Sequence, residues 1–380
     1  MKSKNIVILS SDDWGWKTSK YQLSTRFARD NKVLFVSSVG FRSATVSKQD
    51  IFRIFKKLRK FVKGVEIISP TLFVLTPLVI PFRKYQFVNK LNEIILKIQI
   101  HYALHKLNIS EPYLFVFSQN WLCMVRNFQR KKLIYYCVDE HSGFNGIDSQ
   151  RFIQNDKEMA QLADVVICSS RKLEEQKMEI NSNTYYIPHG VNYKLFSRAV
   201  YDDTLTLPSD VANIPSPIFG FYGHVSHEWV DGVLLKFVAS ARPEWTIMLI
   251  GKNSMNPDEF SEYKNIHLIG ERDYEDLPAY SKSFSVAIIP FVKSLLTDNC
   301  NPLKLYEYLS AGLPVVSTDI PEVRQYENLV HIANSYENFL HLCDVSLDEG
   351  DAAMKVMRSN AMSHSSWDER VNQIYHILKD

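Results

Sequence analysis

The chain has 380 residues, 46% of them hydrophobic and 23% charged, a length beyond one ordinary domain and a composition that excludes disordered, collagen-like and disulfide-stapled classes. Its five cysteines, Cys123, Cys137, Cys168, Cys300 and Cys343, form no Cys-x-x-Cys and no Cys/His cluster at metal-ligand spacing, as expected of reduced thiols in a cytoplasm. The formal net charge of +2 conceals a division: 31 Lys+Arg stand against 16 Asp+Glu in residues 1–200 and 13 against 26 in residues 201–380, so two modules with different partners are expected.

The first apolar run, Ile6 to Leu9, is too short for a signal-peptide core and is followed by polar "SSDD", so it reads as a strand. No later segment reaches the roughly 20 apolar residues of a membrane span; "TLFVLTPLVIPF" is interrupted by Pro77 and Pro81. The expectation is a chain that is neither secreted nor membrane-crossing. "NIVILS", "KVLFVSS", "YLFVFS", "LIYYCV", "DVVICSS" and "TYYIP" are the strands of the first half, with helical stretches such as Tyr85 to Leu107 between them. Near-continuous apolar strands alternating with helices predict a parallel sheet covered on both faces.

Within that half, Ile51 to Lys63 is the clearest amphipathic element: Ile51, Ile54, Phe55, Leu58, Phe61 and Val62 share one face, and Arg53, Lys56, Lys57, Lys60 and Lys63 the other. It reads either as a helix lying on an anionic membrane surface or as a core-facing helix with a solvated basic face. No aromatic RNA-binding signature accompanies the basic residues, so nucleic acid is not an expected partner.

"PHGVN" closes the first series, and "AVYDDTLTLPSDVANIPSP" has linker composition. The expected boundaries are a first domain over residues 1–198, a linker over 199–217, a second domain over 218–365 and a terminal helix over 366–380 that packs back on the first domain. "IFGFYG", "WTIMLIG", "NIHLIG", "SVAIIPF" and "LPVVST" repeat the strand–turn–helix grammar, giving an α/β fold of two doubly wound, Rossmann-like domains.

The most informative stretch is "NPLKLYEYLSAGLPVVST", Asn301 to Thr318. Asn301 suits a helix N-cap and Pro302 the first helical position. Lys304 then opposes the helix dipole in the first turn unless an anion lies between them, and a diphosphate resolves that conflict. Glu307, on the same face, can accept two hydrogen bonds from a ribose diol. Taken alone, the two read more readily as a surface ion pair on an ordinary helix.

This stretch resembles the nucleotide-sugar signature of glycosyltransferases with the two-domain GT-B fold, the group 1 (GT4-like) relatives, nearest to bacterial capsule, teichuronic-acid and xanthan-type transferases. The resemblance takes in "IPHGVNYKLF", "GFYGHVSHEWVDGVLL", "NIHLIGERDYEDLPAYSKSFSVAIIPF" and "SSWDER". It implies two domains facing across a cleft, a hexosyl transfer, and a nucleotide-sugar donor, a UDP-sugar, with no separate cofactor. Donor contacts are implied at Gly223, His224, Arg272, Tyr274, Pro302, Leu303, Lys304 and Glu307. A glycan or lipid-linked acceptor places the protein at the cytoplasmic, inner face of the cell membrane, peripherally attached through Arg53, Lys56, Lys57 and Lys60.

Two departures from the family pattern stand out. Asn299 occupies the position of a Glu that retaining members carry, and His224, Ser226, His227 and Glu228 stand where an Arg and a Lys are usual. Lys304 is then expected to stabilise the leaving diphosphate nearly alone, as a catalytic residue. No Asp-x-Asp occurs, which points to a metal-independent reaction and no metal site.

An inverting transfer needs a base, and "YYCVDEHSGF" offers Asp139, then Glu140, with His141 beside the acceptor. The same residues read equally as a helix-capping Asp with solvated neighbours. Gly15, Trp16 and Gln22 of "SSDDWGWKTSKYQ" are the remaining acceptor or cleft candidates, with Trp14 or Trp16 open to a plain core role. Two rivals stay in view: a sugar-nucleotide epimerase, and a non-catalytic subunit that binds nucleotide or glycan.

Overall fold

The structure is a computed structural model and describes residues 1–39, 64–80, 86–139 and 149–379. It divides into two compact units, residues 1–188 with 371–380, and residues 189–370. The basic segment of residues 51–63, with Arg53, Lys56, Lys57 and Lys60, lies outside the described residues, as do Glu140 and His141.

In the first unit the strands are β1 (Asn5–Leu9), β2 (Lys32–Val36), β3 (Val65–Ser69), β4 (Leu72–Leu75), β5 (Tyr113–Val116), β6 (Lys132–Cys137), β7 (Val165–Cys168) and β8 (Thr184–Tyr186). They pair in the order β3-β4-β2-β1-β5-β6-β7-β8. Every pairing is parallel except β3 with β4. Strands such as β1 and β7 are buried nearly throughout, which is why their sequences run apolar without alternation. The helix expected over Tyr85 to Leu107 spans Gln86–Lys106.

The second unit holds β9 (Ile218–Tyr222), β10 (Thr246–Ile250), β11 (Ile266–Gly270), β12 (Val286–Ile289), β13 (Val315–Thr318) and β14 (His331–Ala333). All are parallel, in the order β11-β10-β9-β12-β13-β14. The order reverses beside β9, between β9 and β12, and beside β1, between β1 and β5. Such reversals leave open crevices at the carboxyl ends of the strands.

The second unit starts at His189, ahead of the expected boundary after residue 198, because Val191 and Phe196 are fully buried in its core. The Val191 N–H donates to the Ser365 carbonyl at 2.9 Å and the Trp367 N–H to the Val191 carbonyl at 3.2 Å. The stretch read as a linker is built in too: Arg198–Tyr201 is helical and Val211 is buried. The terminal helix, Trp367–Ile377, begins with Trp367 buried against His189 in the second unit. Residues from Val371 onward belong to the first, where the Tyr375 hydroxyl accepts from Asn31 Nδ2 at 2.9 Å and its ring stacks on Phe27 at 5.7 Å.

Candidate functional site

Three neighbouring strands of the second unit run into glycine at their carboxyl ends: Gly223 follows β9, Gly251 follows β10 and Gly270 ends β11. Their φ angles are +153°, +134° and +82°, a region that side-chain-bearing residues rarely adopt. The Gly223 N–H donates to the Ile250 carbonyl and the Gly251 N–H to the Gly270 carbonyl, both at 2.8 Å. A Cβ on Gly251 would lie 2.0 Å from the Gly223 carbonyl oxygen, and one on Gly223 would lie 2.6 Å from Lys304 Cε. Glycine therefore keeps a side-chain-free notch at the crevice, with Lys304 lying over it.

Lys304 is set there by the helix Leu303–Ser310, which follows β12 after the short helix Leu295–Asp298. Its N-cap is Pro302, at φ −70° and ψ 108°, one residue later than the sequence suggests. Asn301 is instead turned toward buried Glu322, donating from Nδ2 to Oε2 at 3.3 Å. The Leu303 and Lys304 N–H groups, in the first turn, have no acceptor within the helix and add its partial positive charge to the ammonium. The helix is held to β9 by Tyr308, whose buried hydroxyl accepts from the Tyr222 N–H at 2.9 Å while the rings meet at 4.6 Å.

One turn on, Glu307 is 3% exposed. Burial pushes its carboxyl up to about 7, against the pull of the Lys304 ammonium and the Tyr274 hydroxyl. Its buried Oε1 accepts no hydrogen bond, a costly arrangement for a folded protein. Two donors arriving together, as from a vicinal diol, would satisfy it. Tyr274 is half-buried beside this carboxyl, with Phe196 edge-on at 5.4 Å.

His224 stands solvent-exposed after the Gly223 turn, with Nε2 2.7 Å from Ser254 Oγ. Its pKa is lowered by partial burial, then by Lys252 and Lys304. Lys252 is the residue that sequence reasoning missed. It follows Gly251 as His224 follows Gly223, and its carbonyl accepts from the Val225 N–H at 2.9 Å. Two lysines from different segments thus act electrostatically on His224, beside the notch.

Arg272, expected among the donor contacts, is bonded to Asp210 and Tyr280. Its Nε and Nη2 donate to Asp210 Oδ2 at 3.1 and 2.7 Å, and Nε also to the Tyr280 hydroxyl at 2.8 Å. Asn299, at the position of the family's Glu, is buried and donates to the Leu295 carbonyl at 2.7 Å.

In the first unit the loop after β1 carries Gly15 at φ +107° and Trp16, 60% exposed. Trp14 packs on Tyr21 and Phe35 with ring centroids at 4.7 and 5.0 Å. The loop is tied down through Asp12, which accepts from Thr18 Oγ1 at 2.7 Å and pairs with buried Lys20 at 3.3 Å. Gln22 departs from the expectation of a sugar contact: it is buried, its Oε1 accepts from Arg26 Nη1 at 2.8 Å and its Nε2 donates to the Lys17 carbonyl at 3.4 Å. Asp139 is half-buried two residues beyond β6, at the carboxyl edge of the sheet. Among the described residues no group of three His, Cys, Asp or Glu side chains is arranged to hold a metal ion.

Sucrose-phosphate synthase from Thermosynechococcus elongatus superposes with a TM-score of 0.70 over 98% of both chains at 16% identity. Anabaena HepE, solved in complex with UDP and glucose, gives 0.67 over 99% of both at 13% identity. The fold is GT-B. Residues 216–341 of this GT-B chain match the family model for glycosyl transferases group 1, which spans the glycine notch, Lys304 and Glu307. The Bacillus subtilis (strain 168) protein named as the teichuronic acid biosynthesis glycosyltransferase TuaH is 26% identical over 227 residues, 56% of this chain. That match spans 56% of TuaH's own length.

Proposed function

We propose that the protein is a metal-independent hexosyltransferase that moves a sugar from a UDP-sugar to a glycan or lipid-linked acceptor in bacterial surface polysaccharide biosynthesis. One observation carries the reading: buried Glu307, with an unsatisfied oxygen, stands one helical turn from a lysine that overhangs a side-chain-free notch. A ribose diol and a diphosphate, held at the spacing a nucleoside diphosphate imposes, complement those two features. The HepE complex with UDP and glucose, on the same fold, supports the choice of nucleotide. TuaH supports the choice of polysaccharide.

In this reading the second unit holds the donor. Glu307 takes the ribose, and the Leu303 and Lys304 N–H groups with the Lys304 and Lys252 ammoniums take the diphosphate. As the anomeric carbon–oxygen bond breaks, charge grows on the leaving phosphate and these groups stabilise it. The first unit holds the acceptor, with Gly15, Trp16 and His141 as contacts. Asp139 removes the acceptor hydroxyl proton while that oxygen attacks the anomeric carbon; Glu140 is the second choice of base. Arg53, Lys56, Lys57 and Lys60 hold the protein peripherally on the inner face of the cell membrane, where lipid-linked acceptors reside.

Asn299 favours a second reading, a non-catalytic subunit that binds nucleotide or glycan, because its amide is committed to the Leu295 carbonyl. Calorimetric titration with a panel of UDP- and GDP-sugars, followed by transfer to membrane extracts with and without EDTA, separates the two. Binding with transfer supports the enzyme, binding without transfer the subunit, and no binding removes both. Lys304→Ala is expected to weaken donor binding about 10- to 100-fold, the loss of one charge-assisted contact.

A further inference from the structure

The helix Gln86–Lys106 has two apolar faces. One carries Val88, Leu96, Ile100 and Ala103, all buried. On the opposite side Leu91, Ile94, Ile98 and Tyr102 are 42%, 55%, 64% and 64% exposed. At 100° per residue these four fall in one narrow strip, and at the rise of an α-helix they span about 16 Å. A surface helix ordinarily turns charge to water on this side, and an exposed apolar line of this kind marks a contact surface.

The charges around the strip select the partner. Lys90 and Lys106, both exposed, flank it on opposite sides, and Glu93 is the only acid in the helix. Residues 51–110 together contain 11 Lys+Arg and 2 Asp+Glu. Like charge opposes pairing this face with a second copy of the chain, whereas an anionic surface gains from every cation beside it. Among the described residues no helix is long and apolar enough to cross a membrane, so this helix would lie along a bilayer rather than through it.

We infer that Leu91, Ile94, Ile98 and Tyr102 form a lipid-contacting strip that enters the headgroup–acyl boundary of an anionic membrane, with Lys90 and Lys106 reaching to the phosphates. Apolar depth and cationic flanks are the two contributions that interfacial helices combine. The inference rests on the peripheral attachment proposed above but assigns the buried contact to different residues. Attachment by Arg53, Lys56, Lys57 and Lys60 alone would need no apolar insertion.

The test is sedimentation of the full chain with vesicles of mixed phosphatidylglycerol and phosphatidylcholine, and of phosphatidylcholine alone. The wild type is expected to sediment with the mixed vesicles, and the double variant Ile94→Asp/Ile98→Asp to lose about tenfold or more in partitioning while its UDP affinity is unchanged. Ile98→Trp, which keeps the site apolar, is expected to partition at least as well as the wild type. Brominated acyl chains should quench its fluorescence beyond that of the wild type.

A wild type that sediments with no vesicle overturns both the attachment and the strip. Loss of sedimentation in Lys56→Glu/Lys57→Glu/Lys60→Glu, with the aspartate variant unaffected, leaves attachment standing and overturns the strip. A wild-type dimer in analytical ultracentrifugation, dispersed by Ile94→Asp/Ile98→Asp without vesicle binding, assigns the face to a second copy and overturns the inference. If the aspartate variant loses UDP affinity, the tryptophan quenching alone decides, and its absence overturns the strip.

Discussion

Replacing Glu307 by Gln tests the donor site through its proton. The carboxyl is held at about 7 against an ordinary 4.5, so at pH 6 the folded protein keeps a proton that the unfolded chain has released. Stability of the second unit must then fall as pH rises from about 4.5 to about 7, and the loss is complete above that window. At 1.36 kcal/mol for each unit of displacement, it totals about 3 kcal/mol. Glu307→Gln carries no such penalty, so denaturant unfolding should find it more stable than the wild type at pH 8 and nearly equal at pH 4.5. A ribose diol can donate one hydroxyl to each oxygen only in the ionised form, because a protonated carboxyl turns one of its oxygens into a donor. Donor binding therefore expels the proton, and affinity should climb about tenfold per pH unit below 7 and level off above it. UDP-glucose is the probe to use, because its substituted diphosphate does not titrate in this range as free UDP does. Calorimetry in buffers of different ionisation enthalpy should count close to one proton released near pH 6 by the wild type and none by Glu307→Gln. Lys304 and Tyr274 face the carboxyl, and His224, whose pKa is lowered, is controlled by His224→Ala. Equal affinity at pH 5.5 and pH 8 in the wild type, or the same proton count in Glu307→Gln, would refute the assignment of this carboxylate to the ribose.

Lys252→Ala should weaken UDP binding about tenfold while leaving uridine binding unchanged, with Lys252→Arg restoring much of the loss; equal affinity for UDP in the alanine variant would remove Lys252 from the diphosphate. Gly251→Ala places a methyl group 2.0 Å from the Gly223 carbonyl oxygen, so it should destabilise the second unit by roughly 1–3 kcal/mol in denaturant unfolding and abolish UDP binding. Asp139→Asn should lower transfer by about two to four powers of ten with donor affinity nearly unchanged, and transfer at the wild-type rate would place the base elsewhere.

Much of the fold is legible because fully buried parallel strands leave unmistakable apolar runs, as in "NIVIL" and "SVAII". β3 and β4 are less so. Pro77 interrupts the run "TLFVLTP", yet it lies just beyond the end of β4 at Leu75, and β3 exposes Glu66, Ile67 and Ile68 in succession, with no alternation to read. β14 has three residues, too few for any period. The start of the second unit was obscured because Val191 and Phe196 precede the linker-like composition while packing into the later core.

At the site, Lys304 and Glu307 are legible because one helix carries both, at a spacing that is itself a pattern. Lys252 is brought to the notch only by the pairing of β10 with β9, an adjacency that no local pattern encodes. The commitment of Arg272 to Asp210 is hidden for the same reason. Gln22 looked available in the sequence because nothing there shows that Arg26, one helical turn on, takes its oxygen.

The terminal helix sets the order of synthesis against the order of packing. Phe27 and Asn31 leave the ribosome early, but the Tyr375 ring and hydroxyl that meet them arrive only after the second unit, 344 residues beyond Asn31. Vectorial folding would finish the first unit first; here its final layer is delivered only after the whole of the second has been made. The nascent chain thus carries an unfinished amino-terminal unit until the second has been translated, and emergence of Tyr375, rather than of residue 188, is the moment at which that unit becomes whole.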